Sequence, residues 1–162
     1  MNEELIAAAK KLYEELKKKN IKISTAESCT GGLVASTLTS VPGISSYFEY
    51  GFVTYSNEAK KKLLSIDEDT LEKHTAVSTE VAAEMAQGAL SKSGADIAVA
   101  VTGNAGPGTS EGKPLGMIFI SLASKEGYTL SKELKLNGDR CANRIKAAKE
   151  LIEMAREYVS EL

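Results

Sequence analysis

The chain has 162 residues, the usual size of one domain, and its composition of 43% hydrophobic and 26% charged residues is that of a globular protein. No uncharged apolar run approaches the roughly 20 residues that a bilayer requires, and the acidic start does not resemble an export signal, so we expect a cytoplasmic protein without a membrane partner. A net charge of −2 without a basic stripe argues against nucleic-acid binding, and one histidine with two separated cysteines argues against a metal site.

The first half of the chain alternates between helical and strand patterns. An apolar stripe of Leu5, Ala9, Leu12 and Leu16 predicts an amphipathic helix over residues 2–19, ending at Asn20. The elements that follow are a strand at Ile21–Thr25, a helix at Cys29–Ser40, a turn at Pro42–Gly43, a strand at Tyr47–Tyr55, a helix capped by Asn57 and running to about Leu64, and a helical turn at Asp69–Lys73.

The second half contains the most buried segment. Ala95–Thr102 is almost continuously apolar, which predicts a strand covered on both faces, as in a parallel sheet. Around it we predict a helix at about 79–92 capped by Ser78, a loop at Gly103–Gly116, a strand at Met117–Ser124, a strand nearer the sheet edge at Thr129–Leu136, and a helix from about Asp139 to Tyr158 with the inward stripe Cys141, Ile145, Ala148, Ile152, Ala155 and Val159.

These elements predict an α/β fold, a single-domain three-layer α/β/α sandwich over residues 1–162 with a mostly parallel or mixed sheet of about five strands. Ligands of open α/β sheets bind beyond the carboxyl ends of the strands. Three segments rich in glycine or hydroxyl groups fall there, namely Thr25–Gly32, Thr102–Gly108 and Gly138–Arg140. We expect them to converge on one edge of the sheet.

The first of these segments has two interpretations. Its pattern favours an ordinary helix start with Ser28 or Thr30 as the N-cap, although the same small residues would let backbone amides bind an anion. Cys29 is either an activated thiol nucleophile or a small buried hydrophobic residue, and the second interpretation is favoured.

The other polar segments also leave alternatives open. The long loop after the buried strand is either a mobile connection or a binding loop, and its position favours binding. Arg140, at the start of the last helix, is either held by Asp139 or faces a bound anion. A desolvated lysine among Lys60, Lys61 and Lys62 would be a neutral base, but the spacing alone does not choose one.

Six motifs occur in order along the chain: T-A-E-S-C-T-G-G, P-G-x-S-x-x-F, G-F-V-T-Y-S-N-E-A-K, A-V-S, T-G-x-A-G-P-G with K-P-x-G, and G-D-R. Together they resemble the C-terminal domain family of competence/damage-inducible protein CinA, which includes nicotinamide-mononucleotide deamidases. The resemblance covers about residues 3–160 and implies the stand-alone form of this domain. Asn104 stands where the family usually has an apolar residue, so we expect different contacts within the glycine-rich loop.

The resemblance implies an amidohydrolase that converts nicotinamide mononucleotide to nicotinic acid mononucleotide and ammonia for NAD salvage, without a metal or another cofactor. The residues that it implies for catalysis are Ser28, Ser45, Tyr55 and Lys60. The residues that it implies for substrate binding are Thr30, Gly31, Gly32, Thr102, Gly103, Gly106 and Arg140.

The mechanism expected from these residues uses Ser28 as the nucleophile and a neutral Lys60 as the base, acting directly or through Ser45. Tyr55 would orient the pyridine ring, and backbone amides near Thr30–Gly32 or Gly103 would bind the oxyanion. The alternatives are a nucleotide-binding module without catalysis and a thiol amidase that uses Cys29. We also expect that the strand at Thr129–Leu136 is available for pairing in a homodimer.

Overall fold

One five-stranded sheet forms the centre of the molecule. A computed structural model describes residues 2–162, and its strands are β1 (Ile23–Glu27), β2 (Phe48–Val53), β3 (Ile97–Gly103), β4 (Met117–Ser124) and β5 (Thr129–Lys135). The strand order is β2-β1-β3-β4-β5. Strand β1 is parallel to β2 and β3, whereas β3–β4 and β4–β5 are antiparallel pairs. The sheet is therefore mixed.

Helices cover both faces of this sheet. They are α1 (Glu3–Lys19), α2 (Leu33–Thr39), α3 (Asn57–Leu64), α4 (Glu68–His74), α5 (Thr79–Ser93) and α6 (Arg140–Ser160), with a short 3-10 helix at Ile44–Ser46. Helices α1, α2 and α6 pack on one face, and α3, α4 and α5 pack on the other. The predicted three-layer α/β/α sandwich is confirmed. None of the helices within residues 2–162 has both the length and the apolar character needed to cross a bilayer.

Strand β3 shows why the two helix layers differ. Its larger side chains, including Val99 and Val101, face α1, α2 and α6, while Ala98 and Ala100 face α5. All four are at most 1% exposed, so the predicted burial on both faces is confirmed. The inferred parallel environment is only half right, because β3 is antiparallel to β4. An apolar run reports that a strand is covered, not the direction of its neighbours.

The topology brings several chain segments to one edge of the sheet. Strands β1, β2 and β3 run in the same direction, so their carboxyl ends lie together. Strand β5 runs the same way, because two antiparallel pairings separate it from β3. Its outer position and mostly exposed residues confirm the predicted sheet edge. The segments that follow these four strands therefore meet. The sequence predicted this convergence for three of them, those after β1, β3 and β5.

Two predicted helix starts are wrong. Helix α2 begins at Leu33 rather than Cys29, because Gly31 and Gly32 have φ angles of 59° and 100°, which no α-helix accommodates. Gly32 occupies the N-cap position, so neither Ser28 nor Thr30 caps this helix.

Helix α3 starts at Asn57, but its cap is the preceding residue, Ser56. The Ser56 hydroxyl accepts a hydrogen bond of 3.1 Å from the amide of Ala59. Serine and asparagine are both good caps, so the choice of Asn57 over Ser56 had no support from residue preference.

The predicted inward stripe of α6 is wrong in its first turns. Cys141 is exposed and Ile145 is only half-buried, while Asn143 is 1% exposed. The Asn143 amide donates to the carbonyl oxygens of Ala105 and Gly138, at 3.1 and 2.9 Å. A polar side chain can be buried when its hydrogen bonds are satisfied. Because Asn143 faces the interior, Cys141 and Ile145, two residues away on either side, are less buried.

Gly88 offers a test of the packing between α5 and α3. A Cβ atom at this position would lie 2.2 Å from the carbonyl oxygen of Leu64. We expect Gly88→Ala to lower the free energy of unfolding by about 1–3 kcal/mol, because overpacking forces the two helices apart. Helix propensity alone would raise the free energy of unfolding by about 1 kcal/mol in the alanine variant, so a decrease identifies the clash. Urea denaturation measures the change, and Gly108→Ala is the control because nothing lies within 4 Å of its added Cβ. Equal or higher stability of Gly88→Ala would contradict this packing.

Candidate active site

A cavity of about 270 Å³ lies at the edge of the sheet where the four strand ends meet. This volume is near the lower end of the range for small-molecule sites. The predicted site residues that line it are Ser28, Tyr55, Lys60, Thr102, Gly103 and Arg140. Ser28 follows β1, Tyr55 lies between β2 and α3, and Lys60 is on α3. Thr102 and Gly103 end β3, and Arg140 begins α6.

The central contact of the cavity joins Lys60 to Ser28. Lys60 is 2% exposed, and its Nζ lies 3.1 Å from the Ser28 Oγ. The same nitrogen donates to the carbonyl oxygen of Thr54, just beyond β2, at 3.0 Å. The other two lysines of this cluster stay outside: Lys61 pairs with Glu58 at 2.6 Å, and Lys62 is exposed. The structure thus selects one lysine where the spacing did not.

Burial changes the acid–base behaviour of Lys60. Removal from water disfavours the ammonium form and lowers the pKa of Lys60 below its ordinary value of 10.5. The Glu111 carboxylate and the Cys29 thiol act more weakly in the opposite direction. A lysine with a lowered pKa is available as an uncharged amine, and this amine is within hydrogen-bond distance of a serine hydroxyl.

Two charged side chains hold the turn that carries Ser28. The Glu27 carboxylate is fully buried and accepts hydrogen bonds from the Thr30 hydroxyl, at 2.7 Å, and from two amides in the first turn of α2, at 2.8 and 3.0 Å. From α6, the Arg144 guanidinium donates to the carbonyl oxygens of Cys29 and Thr30, at 3.2 and 2.8 Å. Sequence reasoning missed both residues, because Glu27 ends β1 several positions before the start of α2 and Arg144 is one of several charged residues on α6.

Cys29 behaves as a buried hydrophobic residue, as the sequence favoured. It is 6% exposed, and burial raises the pKa of its thiol to about 12. The thiol therefore stays protonated near neutral pH, where a cysteine nucleophile must be a thiolate. Of the two adjacent side chains at this turn, the serine is the one that contacts the lysine amine.

Arg140 brings a positive charge to the cavity. Its guanidinium donates to the carbonyl oxygen of Gly106 at 2.6 Å and to the Tyr55 hydroxyl at 2.7 Å. The alternative in which Asp139 holds this arginine is wrong, because the Asp139 carboxylate caps α6 through the amide of Ala142, at 2.8 Å. None of the ion pairs within residues 2–162 includes Arg140. A bound anion would supply the missing negative partner.

The long loop after β3 is braced by side chains rather than loose. The Asn104 side chain accepts from the amide of Gly106, at 3.3 Å, and donates to the carbonyl oxygens of Gly108 and Lys113, at 2.8 and 3.3 Å. An apolar residue at this position cannot make these bonds. Gly103 has a packing role, since a Cβ there would lie 2.6 Å from the Cα of Ile118 on β4.

The segment between α4 and α5 forms another wall of the cavity. The Thr102 hydroxyl donates to the carbonyl oxygen of Ala76 at 2.9 Å. The amide of Ala76 donates to the Glu111 carboxylate, also at 2.9 Å, and Glu111 itself lines the cavity. Sequence reasoning did not find Glu111, because nothing in a loop of this length indicates which of its exposed side chains line the cavity.

The structure does not bring the remaining predicted residues to the cavity. Ser45 is exposed on the 3-10 helix before β2, and β2 separates it from the site by roughly 20 Å. Thr30 is occupied with Glu27, and Gly31 and Gly32 form the turn below it without lining the cavity. Gly106 takes part only through its carbonyl contact with Arg140. Because Ser28 contacts Lys60 directly, a proton can pass between them within one chain without a relay through Ser45.

The fold and the site define a three-layer α/β protein with a serine–lysine pair at the carboxyl ends of parallel strands. The family model of the CinA C-terminal domain matches residues 5–159, and the chain belongs to that family. It is 47% identical over 146 residues to the nicotinamide-nucleotide amidohydrolase PncC of Enterobacter agglomerans, covering 89% of both chains.

Other members of the family are similar over nearly the same region. A CinA-like protein of Chloroherpeton thalassium is 47% identical over 151 residues, which are 91% of this chain but only 36% of that protein. The crystal structure of the competence/damage inducible protein CihA of Agrobacterium tumefaciens superposes with a TM-score of 0.94 at 36% identity, covering 99% of this chain and 98% of that one. The chain thus spans about a third of the length of some curated relatives.

The lowered pKa of Lys60 predicts a pH dependence of stability. The folded protein loses this proton at a lower pH than the unfolded chain, whose lysines titrate near 10.5. The cost of burying the ammonium is therefore complete below the folded-state pKa and is relieved as the pH rises toward the unfolded value. Lys60→Met lacks this group, so we expect the stability of the wild type relative to Lys60→Met to increase with pH. Urea denaturation of both proteins from neutral pH up to about pH 10 measures it. A constant difference over this whole range would contradict a lowered pKa of Lys60.

Proposed function

We propose that this protein hydrolyses the carboxamide of nicotinamide mononucleotide to nicotinic acid mononucleotide and ammonia. The observation that carries the proposal is the 3.1 Å contact between the buried Lys60 amine and the Ser28 hydroxyl. The name of the relative from Enterobacter agglomerans supports this choice of substrate. A module that only binds nucleotides has no use for a lysine of lowered pKa beside a serine hydroxyl.

The first half of the proposed reaction forms an ester on Ser28. The Ser28 Oγ attacks the carboxamide carbon while its proton passes to the uncharged Lys60 amine. The tetrahedral intermediate then collapses as the Lys60 ammonium returns the proton to the leaving nitrogen, and the carbon–nitrogen bond breaks to release ammonia.

The second half reverses these roles with water. Lys60 takes a proton from the attacking water, whose oxygen bonds to the ester carbon. Collapse of this second intermediate breaks the bond to Ser28 Oγ, and the lysine returns the proton to the serine. The products are the free hydroxyl and a pyridine carboxylic acid, which ionises in water.

Backbone amides beside Ser28 are suited to bind the oxyanion. The amide of Gly31 is already used, because it donates to the carbonyl oxygen of Ser28 at 3.0 Å. Within residues 2–162, no backbone carbonyl accepts from the amides of Cys29 or Thr30. We therefore assign the oxyanion to these two amides, the first of which directly follows the nucleophile.

The phosphate of the substrate is assigned to Arg140. Its guanidinium keeps donors beyond those that it gives to Gly106 and Tyr55, and it has no carboxylate partner within the described chain. The Tyr55 hydroxyl fixes the direction of the guanidinium, and its ring lines the same cavity. This arrangement favours a mononucleotide over the uncharged ribose of a riboside.

Removal of the nucleophile tests the proposal directly. We expect Ser28→Ala to lower kcat for nicotinamide mononucleotide by at least about a thousandfold, because Ser28 carries the hydroxyl that contacts the Lys60 amine. The measurement quantifies ammonia and nicotinic acid mononucleotide together, with chelator-treated protein. Ser36→Ala is the matched control, since Ser36 is exposed on α2 outside the cavity.

Two outcomes would contradict the proposed reaction. Substantial turnover by Ser28→Ala would remove this serine as the nucleophile. Binding of the nucleotide by the wild type without release of ammonia would instead identify a nucleotide-binding module without catalysis.

The base is tested by a substitution that keeps the positive charge. Arginine stays protonated throughout the accessible pH range, so Lys60→Arg cannot accept a proton from Ser28. We expect kcat to fall by about 10²- to 10⁴-fold, while a thermal-shift assay still detects binding of the nucleotide. Retention of kcat would show that any cation suffices at this position.

A further inference from the structure

Glu111 is an acidic side chain that the mechanism above leaves without a role. Among the described residues that line the cavity, it carries the one carboxylate, and Arg140 carries the guanidinium. Its carboxylate accepts from the amide of Ala76 at 2.9 Å. One of its oxygens is therefore anchored, and the group keeps further acceptor sites for a ligand.

The backbone around Glu111 holds it in an uncommon conformation. Glu111 and Gly112 have φ angles of 54° and 71°, and they form a two-residue turn between Ser110 and Lys113. The amide of Lys113 donates to the carbonyl oxygen of Ser110 at 2.8 Å, which closes the turn. A non-glycine residue is seldom found at positive φ, and such strain is common at binding sites. Glu111 is exposed to solvent, and it also lines the cavity.

The field of this carboxylate reaches the reacting groups. Glu111 makes the largest charge contribution at Lys60, where it opposes the effect of burial on the pKa. A second cation in the cavity would be stabilised by the same carboxylate. The cavity thus offers a negative position near the serine–lysine pair and a positive position at Arg140.

The proposed substrate carries the complementary pair of charges. The ring of an oxidised nicotinamide nucleotide is a pyridinium cation, whereas the ring of the reduced form is an uncharged dihydropyridine. One ring atom separates the ring nitrogen from the carbon that bears the carboxamide. A carboxamide held at Ser28 therefore places the charged ring within the cavity that Glu111 lines.

We propose that Glu111 is a specificity-determining residue, whose carboxylate selects the cationic pyridinium ring of oxidised nicotinamide nucleotides over the neutral ring of the reduced ones. The inference rests on the proposed function for the identity of the substrate. It goes beyond that function because it assigns a ring-recognition role to a loop residue and excludes a chemical class of nucleotide.

Binding to a protein that cannot turn over the substrate tests this inference. Isothermal titration calorimetry would compare nicotinamide mononucleotide with its reduced form on Ser28→Ala and on Ser28→Ala with Glu111→Gln. Glutamine removes the charge but keeps a carbonyl oxygen that can accept from the amide of Ala76. Glu126→Gln in the same background is the control, since Glu126 is exposed in the turn between β4 and β5.

The expected result is a change in selectivity. Glu111→Gln weakens binding of the oxidised nucleotide by about fivefold or more and leaves binding of the reduced nucleotide unchanged. Glu111→Asp, which keeps the charge, retains more of the preference for the oxidised form than Glu111→Gln does. Glu126→Gln changes neither affinity.

Several results would overturn the inference. They are an equal loss of affinity for both forms, unchanged affinity for both, a Glu111→Asp protein no more selective than Glu111→Gln, or no binding of either form. Failure of the proposed reaction is a separate result, because it shows as absent ammonia release by the wild type. The selectivity measured with Ser28→Ala does not depend on turnover.

Discussion

Burial of the Lys60 amine beside the Ser28 hydroxyl is the constraint on which the site depends. A buried ammonium is costly unless acceptors surround it, and the Thr54 carbonyl supplies one at 3.0 Å. That acceptor lies just beyond β2, so α3 must begin within a few residues of the strand. The same burial that disfavours the charged lysine also makes it a base. The cost to stability and the chemical capability thus have one physical cause.

The serine side of the contact needs its own support. Gly31 adopts a left-handed conformation, and the chain after β1 turns sharply before it enters α2. Buried Glu27 ties this turn to the amides of α2, and Arg144 ties it to α6. A fully buried carboxylate with three donors is well compensated, whereas losing the donors would leave an unpaired charge in the core. The position of Ser28 is therefore determined by groups on two different helices.

Much of the fold could be predicted from the sequence, because apolar periodicity reports which face of an element is covered. The convergence of the loops after β1 and β3 followed from strand direction alone. Lys60 could not be distinguished from its neighbours, since the rotation of α3 depends on how Leu64 packs against α5. Glu111 was out of reach because a turn with positive φ leaves no periodic signal. The inward face of the first turns of α6 was predicted wrongly, because Asn143 is buried by its hydrogen bonds and not by hydrophobicity.

The two halves of the site are built on different supports. Ser28 directly follows β1 and Lys60 lies within α3, whereas Glu111 projects from a loop that Asn104 and Asn143 brace through its carbonyl oxygens. A change within this loop can move the carboxylate without disturbing the serine–lysine contact, because the two share no backbone hydrogen bond. The loop nevertheless acts on the chemistry through charge, because the Glu111 carboxylate opposes the effect of burial on the pKa of Lys60.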